Sequence, residues 1–162
     1  MDYEPKEPAQ YRPGVVRAEG PHFTLTQARN PDLNGDFTFR YPTAFDEISI
    51  GARVTELVNA GRVQPVKLEL LPFRAQQYVL AIATLEATIK AAPKGWYVHT
   101  DAGFPLLAPG AVGDGDEEVV LLAYEGFLNW KRRFRESVAG ARAPEEAQDM
   151  VSGAEDQRGD AA

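Results

Sequence analysis

The stretch from Asp114 to Val138 constrains this chain more than any other. Asp114, Asp116, Glu117 and Glu118 crowd its start, and Lys131, Arg132, Arg133 and Arg135 crowd its far end. A helix macrodipole favours acids at the N-terminus and bases at the C-terminus, so this gradient predicts a helix running from one cluster to the other. Val119, Ala123, Phe127, Trp130, Phe134 and Val138 recur at steps of three and four, which gives that helix one apolar stripe. Trp and Phe on such a stripe fill either a core or a partner's groove. Both readings stay open for Phe127, Trp130 and Phe134.

Two further helices are predicted upstream. The first follows Pro42, with Thr43 as N-cap and Asp46 and Glu47 in the first turn. Its stripe is read as Phe45, Ile48, Ala52 and Leu57 or Val58, with Gly61 as the stop. The second begins near Pro72, buries Phe73, Leu80, Ile82, Leu85 and Ile89, and ends at Pro93 and Gly95. Ahead of both, Phe23 and Leu25 alternate with Thr24 and Thr26, and Phe37, Phe39 and Tyr41 alternate with Thr38 and Arg40. A turn-rich stretch, Asn30 to Gly35, separates them and predicts a β-hairpin whose aromatic face packs on helices. Pro65 to Leu71 is apolar but of no assignable state. The loop from Lys94 to Gly115 holds Trp96, Tyr97, Phe104, Leu106 and Leu107, which predicts that it packs on the core.

The fold class is therefore mainly α: a small helical domain over residues 21–140 with a short N-terminal β-hairpin. Residues 1–20 read as an extended, proline-rich arm. Residues 141–162 carry six acids against two bases and little that is apolar, which predicts a disordered acidic tail. That tail holds −4 of the net charge of −7. The balance argues against a nucleic-acid partner, since acidic surface repels phosphates. At 44% hydrophobic residues a core can form, yet the apolar runs last only five residues. A bilayer span needs roughly 20, so no membrane segment is predicted. The N-terminal residues show no basic-then-apolar leader pattern. With no cysteine among the 162 residues, disulfides, thiol catalysis and cysteine-bound zinc are excluded.

Little else points to chemistry. There is no phosphate-binding loop, no dinucleotide fingerprint and no nucleophile elbow. His22 and His99 lack metal-spaced partners and read as strand-end or loop histidines. The acids from Asp114 to Glu118 fail the calcium-loop spacing and read as helix caps. Neither cofactor nor metal nor catalytic residue is predicted. Lys131 to Arg135 read either as a helix C-terminus offsetting the dipole or as a contact for an acidic protein face. The acidic tail is also placed to fold back on this cluster as a salt-sensitive mask.

Three blocks occur in order: DFTFRYPTAFDEISIGARVTELV from Asp36, YVLAIATLEATIKAAPKGWYV from Tyr78, and VVLLAYEGFLNWKRRFRE from Val119. Within them Phe37 to Arg53 fit F-x-(F/I)-x-x-P-T … D … I-G-x-R, and Ala81 to Ile89 fit A-x-A-T-L-E-x-x-I. Ala92 to Trp96 fit A-P-x-G-(W/F), and Tyr124 to Arg135 fit Y-E-x-(F/Y)-x-x-W-x-x-x-F-R. Together these blocks resemble the tail assembly chaperones of long-tailed bacteriophages. The glycine- and proline-rich loop from His99 to Gly113 departs from the pattern by its length.

The resemblance implies a non-enzymatic protein that coats the helical tape measure protein and hands it over as tail tube protein assembles. It implies action in the cytoplasm of a bacterial host and absence from the mature virion. It makes Phe127, Trp130, Lys131, Arg132, Arg133, Phe134 and Arg135 the candidate partner-binding residues, and it implies weak homo-oligomers. In the expected oligomer, one copy's basic helix end meets another's acidic face, head to tail. A structural tail or connector protein and a small regulatory nucleic-acid binder are the alternative readings.

Overall fold

The computed structural model describes residues 20–113 and 115–155, with side chains up to Gly140. All but Gly20 of the expected N-terminal arm lies outside the described residues, as do Asp114 and everything after Glu155. The chain divides into two compact units, Met1–Phe127 and Leu128–Ala162.

The first unit opens with the expected hairpin. Strands β1 (Phe23–Leu25) and β2 (Gly35–Phe39) pair antiparallel, with Phe23 opposite Phe37 and Leu25 opposite Gly35. Alternation puts Leu25, Phe37 and Phe39 inside. The turn between them contains a short 3₁₀ segment, Pro31–Leu33, whose start is capped by the Asn30 side chain accepting from the Asp32 N–H. Helix α1 (Ala44–Asn59) starts at a full capping box. The Asp46 N–H donates to Thr43 Oγ1, and the Thr43 N–H and hydroxyl donate to Asp46 Oδ2 at 2.7 and 2.9 Å. Arg40 closes on the same carboxylate with two parallel bonds of 2.8 and 2.7 Å.

The face that α1 buries differs from the expected one. Phe45, Ile48 and Ala52 are exposed, Phe45 at 75%. Val54 and Val58 are buried instead, with Ile50 and Leu57 beside them. The helix carries two apolar stripes on opposite sides, and periodicity cannot say which faces inward. The buried stripe meets Ala83, Val79 and Leu80 of helix α2 (Phe73–Thr88), with Val66, Leu68 and Leu71 of the connecting segment closing the cluster. The segment Pro65 to Leu71 thus has a role: its 3₁₀ turn at Leu68–Leu70 sits against both helices.

Helix α2 starts after Pro72 as expected, but Phe73 is exposed. The helix also stops at Thr88, short of Pro93. The Thr88 carbonyl accepts the Arg40 N–H at 2.8 Å, and the buried Thr88 hydroxyl donates back to the Thr84 carbonyl. From there the chain goes straight into β3 (Ile89–Ala91), which pairs with the free side of β2 across a bulge. The sheet order is β1-β2-β3, antiparallel throughout. The helical spacing of Ile89 therefore misled: its buried side chain belongs to a strand. A second, two-stranded ribbon, β4 (Tyr97–His99) with β5 (Pro105–Leu107), occupies the segment read as a loop. That segment only partly packs on the core. Trp96, Pro109 and Val112 are buried, whereas Val98, Phe104 and Leu106 are exposed. The mainly α expectation holds for the three helices and the N-terminal hairpin, and misses β3 and the β4–β5 ribbon.

Helix α3 (Glu117–Glu155) completes the first unit with its opening turns. Val119, Val120, Ala123 and Phe127 are buried. Asp116, just before it, does more than begin a helix. Its carboxylate is buried and accepts the backbone N–H groups of Arg29 and Asn30 at 2.7 and 3.0 Å. Gly126 lets α3 lie against β1: a methyl there would sit 2.5 Å from the Phe23 ring. The α3 backbone is helical to Glu155, into the segment from Ala141 read as an acidic tail, whose last seven residues lie outside the described ones. Ala, Glu and Gln favour helix in this segment, against Pro144, which cannot donate to the Gly140 carbonyl.

Two outcomes follow from this geometry. Gly126→Ala is expected to cost about 1–3 kcal/mol by overpacking. Gly51→Ala, with nothing within 4 Å, should gain about 0.5–1 kcal/mol from helix propensity; urea denaturation of both variants measures this. Separately, the Arg40 guanidinium, then the Thr43 N–H and hydroxyl, hold the Asp46 carboxyl at about 2 against an ordinary 3.8. A carboxyl depressed in the fold stabilises fully above pH ~4 and loses that contribution as pH falls towards 2. Asp46→Asn should lower the denaturation midpoint at pH 6, with the gap to wild type closing near pH 2.

Candidate functional site

Most of the sequence blocks described above build the fold itself. Phe37, Phe39, Pro42, Ala92, Pro93, Trp96 and Phe127 are buried. Arg53 of the first block pairs with Glu86 of the second through Nε–Oε2 and Nη2–Oε1 contacts of 2.8 and 3.2 Å, tying α1 to α2. Gly95 is required because a methyl would fall 2.8 Å from the Asp32 backbone. Trp96 is fully buried, and its Nε1–H donates to the Leu33 carbonyl at 2.9 Å. Tyr124 is half-buried, and burial pushes its hydroxyl pKa up.

Of the expected partner-binding residues, Phe127 is a core residue, 1% exposed, with its ring edge-on to Phe39 at 5.4 Å. It is withdrawn from any partner surface, because the sheet fills the groove its spacing left open. The remaining six stand together on α3 in the second unit. Trp130 and Phe134 lie one turn apart with ring centroids at 5.6 Å. Phe134, Leu128 and Val138 are exposed. Beside them Leu128, Lys131, Arg132, Arg135 and Glu136 border an open depression of about 460 Å³. The arrangement joins an aromatic pair to a strip of cations, which suits contact with an apolar, acidic surface.

The position of that cluster removes one of its two readings. Lys131 to Arg135 do not end a helix, since α3 runs on to Glu155 and its last turn holds no base. Dipole effects fall off within the terminal turn, so they do not account for four bases in mid-helix. Glu145, Glu146, Asp149 and Glu155 of the acidic segment follow on the same helix backbone, and Asp156 and Asp160 lie outside the described residues.

Other features are less suited to a site. Among the described residues no group of three or more His, Asp or Glu is placed to hold a metal ion. His22 accepts the Phe39 N–H on Nδ1 at 3.0 Å, and His99 ends β4. Pro72, Arg74, Ala75, Tyr78, Glu117 and Leu121 line a surface hollow of about 480 Å³. Burial and then Glu117 raise the Tyr78 hydroxyl pKa there. Sequence reasoning missed two exposed apolar patches: Phe45 and Ile48 on α1, and Val98 opposite Leu106 on the ribbon. The second apolar stripe of α1 was the available signal for the first patch. No helix among the described residues is long and apolar enough to cross a membrane. No family model, curated protein or solved structure matches this chain.

The division at Phe127 is measurable. Phe127→Ala should cost about 3–5 kcal/mol, the range for emptying a buried aromatic site. Phe134→Ala should shift stability by less than about 1 kcal/mol, as for exposed positions. Chemical denaturation of the two variants distinguishes them.

Proposed function

We propose that this chain is a non-enzymatic tail assembly chaperone of a long-tailed bacteriophage, acting in the host cytoplasm. Its client is a helical tape measure protein, which it keeps from aggregating until tail tube protein assembles around it. The carrying observation is the ordered occurrence of the three sequence blocks, from Asp36, Tyr78 and Val119. The surface chemistry supports the same reading. Trp130, Phe134 and the neighbouring bases offer an aromatic and cationic strip on one helix, the kind of surface that receives an amphipathic helix. The exposed Phe45 and Ile48 add apolar area for weak contacts with a long client.

A structural tail or connector protein is the second reading, favoured by the five short strands, which exceed the single hairpin read from sequence. The two make opposite predictions about mature particles.

Co-expression with the tape measure protein of the same phage tests the proposal. The chain should move that protein into the soluble fraction. The double variant Trp130→Ala, Phe134→Ala should lose most of this effect while keeping its own fold. Failure to solubilise, or recovery of the chain in purified virions at stoichiometric amounts, would overturn the chaperone reading.

A further inference from the structure

Of the four asparagines in the chain, Asn34 alone precedes a glycine. That step is chemically labile. The main-chain nitrogen after an asparagine can attack the side-chain amide carbon, and glycine, lacking a Cβ, leaves the approach open. A C–N bond forms and closes a five-membered imide. The attacking N–H gives up its proton to solvent, and the side-chain NH2 takes one up and leaves as ammonia. Water then opens the imide at either carbonyl. One product is aspartate; the other is isoaspartate, in which the main chain runs through the side-chain carboxyl carbon.

The fold imposes both members of this pair and holds them apart. Asn34 Oδ1 accepts the Ala28 N–H at 2.9 Å, and Nδ2 donates to the Ala28 carbonyl at 3.1 Å. A donor on one side and an acceptor on the other fix which way the amide faces. The Asn34 N–H donates to the Pro31 carbonyl, and its backbone is extended, with ψ at 143°. Gly35 pairs with Leu25 at the start of β2 and has φ at 141°, a conformation that L side chains rarely adopt. Ring closure therefore requires the Asn34 side chain to leave Ala28 and the Asn34–Gly35 peptide to turn, which opens the loop.

We propose that Asn34 is a site of spontaneous deamidation gated by this loop: the clasp on Ala28 suppresses the reaction, and opening of the loop permits it. The change is irreversible and acts on the fold. An aspartate at position 34 has no N–H to give the Ala28 carbonyl and sets a charge beside it, leaving that acceptor unmatched. An isoaspartate lengthens the main chain between loop and β2, which displaces Gly35 from Leu25. The same loop presents the Leu33 carbonyl to Trp96 Nε1–H and the Arg29 and Asn30 N–H groups to Asp116. Deamidation thus loosens the attachment of the loop to the core, and a loosened loop opens more readily. This inference does not rest on the chaperone reading.

The experiment incubates the full chain at mildly alkaline pH, folded and in concentrated urea, and maps its peptides by mass spectrometry. Cleavage after Arg29 and Arg40 yields one peptide that holds both Asn30 and Asn34. Asn30 precedes Pro31, which has no N–H to attack, so it serves as an internal control. In urea, Asn34 should exchange amide for acid fastest of the four asparagines, with aspartate and isoaspartate forms separated by chromatography. In the folded chain the same exchange should be at least about tenfold slower, because it proceeds only through local opening. Asn34→Asp should lower the urea midpoint and speed hydrogen exchange of the Ala28 amide. Equal rates at Asn34 in the folded chain and in urea, or faster reaction at Asn59 or Asn129 than at Asn34 in urea, would overturn the proposal. An Asn34→Asp variant with the wild-type midpoint would overturn the stated effect on the loop. The rate comparison uses wild type alone, so it decides the matter even if the variant does not fold.

Discussion

The sheet, the loop after β1 and the segment before the ribbon meet at one buried side chain, Trp96. Its indole stands edge-on to Phe37 at 5.1 Å, and its N–H reaches the Leu33 carbonyl. An indole N–H left without a partner in a dry core costs about 1–3 kcal/mol, so this bond decides where the loop after β1 must lie. The loop carries Leu33 into the core and holds the Asp32 backbone against Gly95. Asp116 then fixes the same loop from the other side through the Arg29 and Asn30 N–H groups. Phe37 passes the packing on to Phe39, and Phe39 to Phe127, which brings α3 onto the sheet. One aromatic chain thus connects the ribbon, the sheet and the last helix.

The elements legible in the sequence were those set by local chemistry. Thr43 and Asp46 announce a capping box, and the alternation of Phe37 and Phe39 announces a strand. What escaped depends on contacts distant in sequence. Ile89 has helical spacing from Leu85, yet it pairs with Phe39 because the Thr88 carbonyl is taken by Arg40. The inward face of α1 is chosen by α2 and the segment before it, so Phe45 and Val54 are equivalent until the partner is known. Asp116 reads as a helix cap from its neighbours, and its bonds to Arg29 and Asn30 have no local signal. Of the candidate site, the aromatic and basic residues were visible as a group. Their division at Phe127, into core and surface, required the sheet.

That division gives α3 two roles in succession. Up to Phe127 its side chains are held by tertiary packing, which supplies most of the stability of helices in proteins. Beyond it, helix is maintained by propensity and by whatever covers the aromatic and charged faces. The motif residues that build the first unit leave Trp130, Phe134 and the bases as the part of the pattern available to a partner.

Hydrogen exchange along α3 tests this account most directly. Amides from Val119 to Phe127 should be protected to the level of global unfolding in dilute protein at high salt. Amides from Asn129 to Gly140 should exchange through local opening there. Uniform protection from Val119 to Gly140 would mean that one core runs the length of the helix, and would contradict the division at Phe127.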